Sequence, residues 1–211
     1  MGLRVGLTGG LGSGKSTVLR MLVELGAHGF SADEIGRELM EPGTDVFKAI
    51  VARFGDGIVG ADGRLNRSEL AQIAFGEGRV EELNAMVHPA TIARQGELVE
   101  AIFAREPEAV VVVESALIFE TRYGDGWRGR FDRMILVSAP EDVKVARFVA
   151  RAGGADRDAL EAEARRRLAR MIPDAVKAPQ CGFVIRNDGS LDELRQSVEL
   201  VWEKLVAASA S

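Results

Sequence analysis

Apolar positions along the chain follow two periods, and the alternation between them outlines the fold. Leu3-Arg4-Val5-Gly6-Leu7-Thr8 reads as a short strand that runs straight into a glycine cluster. From Ser16 to Leu25 the apolar residues Val18, Leu19, Met21, Leu22, Val23 and Leu25 predict a helix, ended by Gly26. A second strand is expected between His28 and Asp33. Further strands are expected over Ala109–Glu114, Phe131–Val137 and Phe183–Arg186. The run Val110-Val111-Val112-Val113 does not alternate, as a parallel strand covered on both faces requires. Helical spacing marks Ala32–Met40, Val46–Phe54, Arg67–Phe75, Val80–Val87, Thr91–Arg105, Glu141–Arg151, Arg157–Met171 and Leu191–Ala208. Strands alternating with helices predict an α/β sheet joined by right-handed crossovers. Residues 34–105 are almost wholly helical and too long for one crossover, so they are read as a substrate-binding insertion. A second insertion holds Lys144 to Lys177.

Composition narrows this picture by exclusion. With 211 residues, 46 % apolar and 28 % charged, the chain can bury a substantial core and is not a disordered polymer. A single cysteine, Cys181, cannot form an intrachain disulfide, and no Cys/His cluster has zinc spacing. The longest unbroken apolar run, Ala109–Val113, is far too short for a membrane span. Glycines interrupt the N-terminal segment before any signal-like apolar region, so a cytoplasmic protein without a membrane partner is expected. The net charge of −5 argues against a nucleic-acid partner. It is unevenly spread: Lys144 to Lys177 holds nine basic and five acidic residues. Two readings of that segment stand, a solvated helix face or a contact surface for a small polyanion.

The strongest chemical signal is Gly9-Gly10-Leu11-Gly12-Ser13-Gly14-Lys15-Ser16, which fits G-x-x-x-x-G-K-[ST] at every required position. Strand, loop and helix follow in the order a phosphate cradle needs. Glycines let successive N–H groups turn inward, and the helix N-terminus adds positive potential. Lys15 is expected to bridge the β- and γ-phosphates of a nucleotide, Ser16 to give its hydroxyl to Mg²⁺, and Thr17 to assist at the α-phosphate. Asp33 follows the second strand. It reads either as the carboxylate that takes a proton from an acceptor hydroxyl or as an ordinary helix N-cap. Asp33-Glu34-Ile35-Gly36 has the D-x-x-G form of GTPase switches, but no N-K-x-D sequence occurs to read guanine.

Other candidates carry two readings each. Glu114 ends a buried strand where P-loop enzymes place an acid that holds metal-bound water, or where a chain simply leaves its sheet for solvent. His88 beside Pro89 either meets substrate or marks a helix start at the proline. His28 reads as a surface or packing residue and Cys181 as a small packed side chain. Arg165-Arg166-Arg167 spans most of a helical turn, so its three side chains cannot face one ligand together.

Taken with their order and spacing, several segments resemble the dephospho-coenzyme A kinase family. They are Gly6 to Thr17, Ser31-Ala32-Asp33-Glu34-Ile35-Gly36-Arg37, Phe54-Gly55, Gly63-Arg64-Leu65-Asn66-Arg67 with Leu70, His88-Pro89 with Ile92, Leu117-Ile118-Phe119-Glu120, and Val184-Ile185-Arg186-Asn187 with Gly189. The resemblance implies transfer of the ATP γ-phosphoryl to the ribose 3′-hydroxyl of dephospho-CoA. It implies a P-loop core with a five-stranded parallel sheet over residues 1–33, 106–140 and 179–211. A helical CoA-binding part over 34–105 and a lid over 141–178 go with that core. It further implies Asp33, Lys15 and Arg147 as catalytic residues. ATP is expected on Gly10, Leu11, Gly12, Ser13, Gly14, Lys15, Ser16, Thr17, Arg147 and Asn187. The acceptor is expected on Thr8, Asp33, Arg37, Arg67, His88, Pro89 and Glu120. The chain departs from the family pattern at Ser31 for an aspartate, Ala116 for a proline, Lys144 and Arg170 for glutamines, and Cys181-Gly182 for Ala-Asp. Two other readings remain beside this one: a P-loop kinase of another small nucleotide or metabolite, and a non-catalytic nucleotide-binding regulator.

Overall fold

The computed structural model describes residues 1–76, 78–121, 126–153 and 156–209. Its centre is a five-stranded parallel sheet in the order β2-β3-β1-β4-β5. The strands are β1 (Leu3–Thr8), β2 (His28–Ser31), β3 (Val110–Glu114), β4 (Arg133–Ser138) and β5 (Phe183–Arg186). The helices are α1 (Lys15–Glu24), α2 (Ala32–Leu39), α3 (Asp45–Phe54), α4 (Arg67–Gly76), α5 (Val80–Phe103), α6 (Glu141–Ala152), α7 (Arg157–Ala169), α8 (Asp174–Lys177) and α9 (Leu191–Ser209).

Strand periodicity decides which side chains meet. On one face Val5 and Leu7, Val110 and Val112, Ile135 and Val137, and Ile185 pack with α1 and α9. Helix α1 offers Val18, Met21 and Leu22 there, the i, i+3, i+4 stripe of a half-buried helix. On the other face Val111, Val113 and Met134 meet Val99 and Ile102 from the end of α5, with Ile118 and Phe131. All five residues of β3 are buried, so its unbroken valine run follows from a sheet covered on both sides.

Contacts divide the chain into two compact units, Met1–Phe30 with Val99–Ser211, and Ser31–Leu98. The second has its own apolar core of Ile50, Phe54, Ile58 and Leu70, packed by Met40, Leu65, Leu83 and Met86 among others. One expectation fails in this region. His88-Pro89 does not divide two helices, because Pro89 lies inside the continuous α5. Proline forfeits one backbone bond, that to the Ala85 carbonyl, and a helix of 24 residues with tertiary packing tolerates that loss. Among the described residues no helix is long and apolar enough to cross a membrane.

Candidate active site

The turn from β1 into α1 is shaped by backbone that only glycine adopts readily. Gly12 and Gly14 sit at φ 72° and 96°. Space adds a second constraint. A β-carbon at Gly12 would collide with the Lys144 carbonyl oxygen, and one at Gly14 with the Asn187 amide. Helix α1 then starts with no side-chain cap and no acidic residue in its first turn. Its positive end is therefore left available to an anion. The hydroxyls of Thr8 and Ser13 are buried and lack hydrogen-bond partners among the described residues, the condition of a polar cradle built around something it must hold.

Lys15 projects back over this loop. Its ammonium donates to the Gly10 carbonyl at 3.3 Å and stands 3.8 Å from Glu114 Oε1 at the end of β3. Both side chains are about nine-tenths buried. Glu114 is thus turned toward the loop lysine rather than toward open solvent, and the reading of it as a mere exit from the sheet fails. Ser16 and Thr17 occupy the first turn of α1.

Asn187, just past β5, ties the loop to α6. Its amide nitrogen donates to the Ser13 carbonyl at 2.8 Å, and its backbone N–H donates to the Ser138 carbonyl. Arg147 donates to the Asn187 carbonyl at 2.9 Å and to its side-chain oxygen at 3.3 Å. The loop, Asn187 and Arg147 therefore form one connected group within the first unit. A guanidinium has five N–H donors, so donors of Arg147 remain beyond these two bonds.

Sequence reasoning missed two buried lysines. Lys177, counted there among the basic residues of the insertion, is wholly buried. It is held by Glu120 Oε1 at 2.8 Å and lies 3.5 Å from the Ala116 carbonyl. Glu120 Oε1 also accepts the Ile172 N–H, while Oε2 is buried without a partner among the described residues. Glu120, expected at the acceptor, is thus a strut between its own loop and the segment leading into α8. Lys144 is likewise buried and paired with Asp174. Nothing local in either stretch signals burial, because each partner lies far along the chain. Elsewhere in the insertion Arg157 pairs with Glu161, Arg165 with Glu141, and Arg166 and Arg167 share Glu163. Most of the local positive charge is therefore matched inside the protein. Arg165 turns to α6 while Arg166 and Arg167 converge on one carboxylate, so the three do not face one partner together.

In the second unit Asp33 lies in the first turn of α2, exposed, with no bond from its carboxylate among the described residues. The N-cap position belongs to Ser31, so the capping explanation of Asp33 fails. Arg37 donates to the Asp33 carbonyl oxygen at 3.0 Å. Arg67 begins α4 and lines a cavity of about 430 Å³ with Glu41, Asp62 and Arg64. His88 is half-buried on α5, and loss of hydration there lowers its pKa below the usual histidine value, against an opposing pull from Glu81. The unfolded chain therefore binds this proton more readily than the folded one. Stability from His88 is complete above the ordinary histidine pKa and is lost as pH falls through the lower folded value. Thermal melts from pH 7 to pH 5 should show falling stability, and His88→Gln should flatten that slope. An equal slope in the variant removes His88 from the effect.

A glycine-rich cradle between the first strand and first helix of a sheet ordered 2-3-1-4-5, with a buried lysine and acid beside it, defines a P-loop kinase core. The family model for dephospho-CoA kinase matches residues 3–193. A dephospho-CoA kinase of Thermobifida fusca is 38 % identical over 208 residues, covering 96 % of each chain. One from Symbiobacterium thermophilum is 41 % identical over 199 residues, 94 % of this chain and 79 % of its relative. A crystal structure of the Thermus thermophilus protein TT1252 superposes with a TM-score of 0.73 at 30 % identity, over 96 % of this chain and 97 % of the other. The chain belongs to the dephospho-CoA kinase family.

Proposed function

We propose that this protein transfers the γ-phosphoryl of ATP to the ribose 3′-hydroxyl of dephospho-CoA, releasing CoA and ADP, the last step of coenzyme A synthesis. The observation that carries this reading is the family match from residue 3 to residue 193 in a chain whose phosphate loop and Asp33 are both intact. Loop amides from Gly10 to Gly14 and the Lys15 ammonium hold the triphosphate, with Thr17 at the α-phosphate. Arg147, steadied by Asn187, lends its remaining donors to the charge that spreads over the moving phosphoryl. Asp33 orients the ribose hydroxyl and accepts its proton.

The donors suit Mg²⁺. Ser16 supplies a hydroxyl and Glu114 a buried carboxylate, both hard oxygen donors, and a cation of this kind takes its other ligands from phosphate and water. When bound, it neutralises charge on the phosphate oxygens. Residues 34–105, with Arg37, Arg67, His88 and Pro89, form the part that receives dephospho-CoA. Residues 141–178 form the lid. A cytoplasmic location goes with this reading.

Incubation of the purified chain with ATP and magnesium, against dephospho-CoA, nucleoside monophosphates and small alcohols, tests the reading by mass detection of products. Dephospho-CoA alone should gain one phosphoryl group. Turnover of another acceptor in its place, or ATP hydrolysis with no phosphorylated acceptor, rejects it.

A further inference from the structure

Helix α6 touches the phosphate loop at two points one turn apart. Arg147 reaches the loop through Asn187 and the Ser13 carbonyl. Lys144, three residues earlier and on the same helix face, reaches its other shoulder. A β-carbon at Gly10 would lie 3.3 Å from the Lys144 ammonium, and one at Gly12 would strike the Lys144 carbonyl oxygen. The lysine therefore packs directly against the loop at Gly10 and Gly12.

Its ammonium ends on Asp174 Oδ2, which also accepts the Ser138 hydroxyl at 2.9 Å. Ser138 closes β4 and Asp174 opens α8, so the pair joins α6, the sheet and α8 beside the loop. Lys144 is only 7 % exposed. Burying such a cation costs several kcal/mol of hydration, which its partner roughly offsets, so net stability does not explain its presence. What a buried ion pair supplies instead is a fixed geometry. The pair lines a cavity of about 540 Å³ with Gly10, Ser138, Glu141 and Arg165. There Arg165 is matched by Glu141, as Lys144 is by Asp174, so the cavity holds balanced charge rather than a bare anion site.

We propose that Lys144 is a positioning residue for phosphoryl transfer: anchored on Asp174, it seats α6 against Gly10 and Gly12 and so fixes the loop and Arg147 in one geometry. This rests on the phosphotransferase reading above. It adds that the Lys144–Asp174 pair, not Lys144 alone, sets the nucleotide side of the site.

The test compares Lys144→Met, Asp174→Asn, the double variant and Ser138→Ala in the full-length protein. Binding of a non-hydrolysable ATP analogue is measured by calorimetry, and steady-state constants are measured for both substrates. Lys144→Met and Asp174→Asn should each weaken analogue binding and raise the KM for ATP by about tenfold, with a lower kcat and little change in the KM for dephospho-CoA. The double variant should be no worse than either single change, because both break one pair. Ser138→Ala, the mildest change, should shift ATP affinity the same way by about two- to threefold and keeps the test readable if a charge variant does not fold.

If Asp174→Asn left analogue binding unchanged or tightened it, Lys144 would act alone on phosphate and the proposal would fall. Lower melting points with unaltered constants per folded molecule would reduce the pair to a stabilising contact and reject it equally. Because the analogue is bound without an acceptor, an error in the acceptor assignment would appear as missing CoA product while these binding differences persisted.

Discussion

Replacing Asp33 by asparagine is expected to lower kcat by about 10²- to 10⁴-fold, the usual contribution of a positioned general base, while the affinity for ATP stays nearly unchanged. The amide keeps the shape and can still hydrogen-bond the ribose hydroxyl, but it cannot accept the proton. The structure makes this substitution clean. Ser31 occupies the cap position of α2, and the Asp33 carboxylate bonds to nothing among the described residues. Little folding energy is therefore at stake, and the loss should be confined to turnover. Initial rates with saturating dephospho-CoA, paired with a direct measurement of ATP binding, check the split. A variant that turns over at the parent rate removes the base from Asp33. One that loses ATP affinity with kcat intact places Asp33 on the nucleotide instead.

The second large effect is on stability. Lys177→Met should destabilise the first unit by about 3 kcal/mol, at the lower end of the cost of breaking a buried ion pair. Lys177 is wholly buried, and its removal strands the Glu120 carboxylate, whose second oxygen already lacks a partner among the described residues. The Ile172 N–H still serves Oε1, which is why the lower end of the range applies. For a chain of this length that loss corresponds to a thermal midpoint lowered by roughly 6–12 °C. Adding Glu120→Gln to the variant removes the stranded charge and should recover part of the deficit. A midpoint within about 2 °C of the parent would show that the pair holds little together.

How much of this was legible in the sequence depends on the range over which each feature is determined. The cradle was fully legible because its parts are adjacent: β1, the glycines, Lys15 and the start of α1 lie within one short stretch. The covering of the sheet on both faces was legible from four valines in a row. The break expected at Pro89 came from a sound local rule outweighed by packing along α5, a term that no local window contains. Lys144 and Lys177 were counted in a segment read as either a solvated face or a polyanion contact surface, because their partners, Asp174 and Glu120, come from other elements. Glu120 itself was recognised as a residue of consequence, but its occupation by Lys177 required the tertiary structure. Asp33 shows an intermediate case. Its helix was predicted, but only the observed start of α2 separates a free carboxylate from a cap.

The separate small core of the second unit has an energetic consequence. Among the described residues, the apolar cluster of that unit has four buried side chains, Ile50, Phe54, Ile58 and Leu70, against sixteen on one face of the sheet. So slight an interior lowers the free energy of partial opening, and regions of this kind exchange amide hydrogens through sub-global excursions rather than complete denaturation. On the proposed reading, an acceptor that docks on the ordered form would draw on its own contact energy to quell those excursions, joining ligand recognition to local folding.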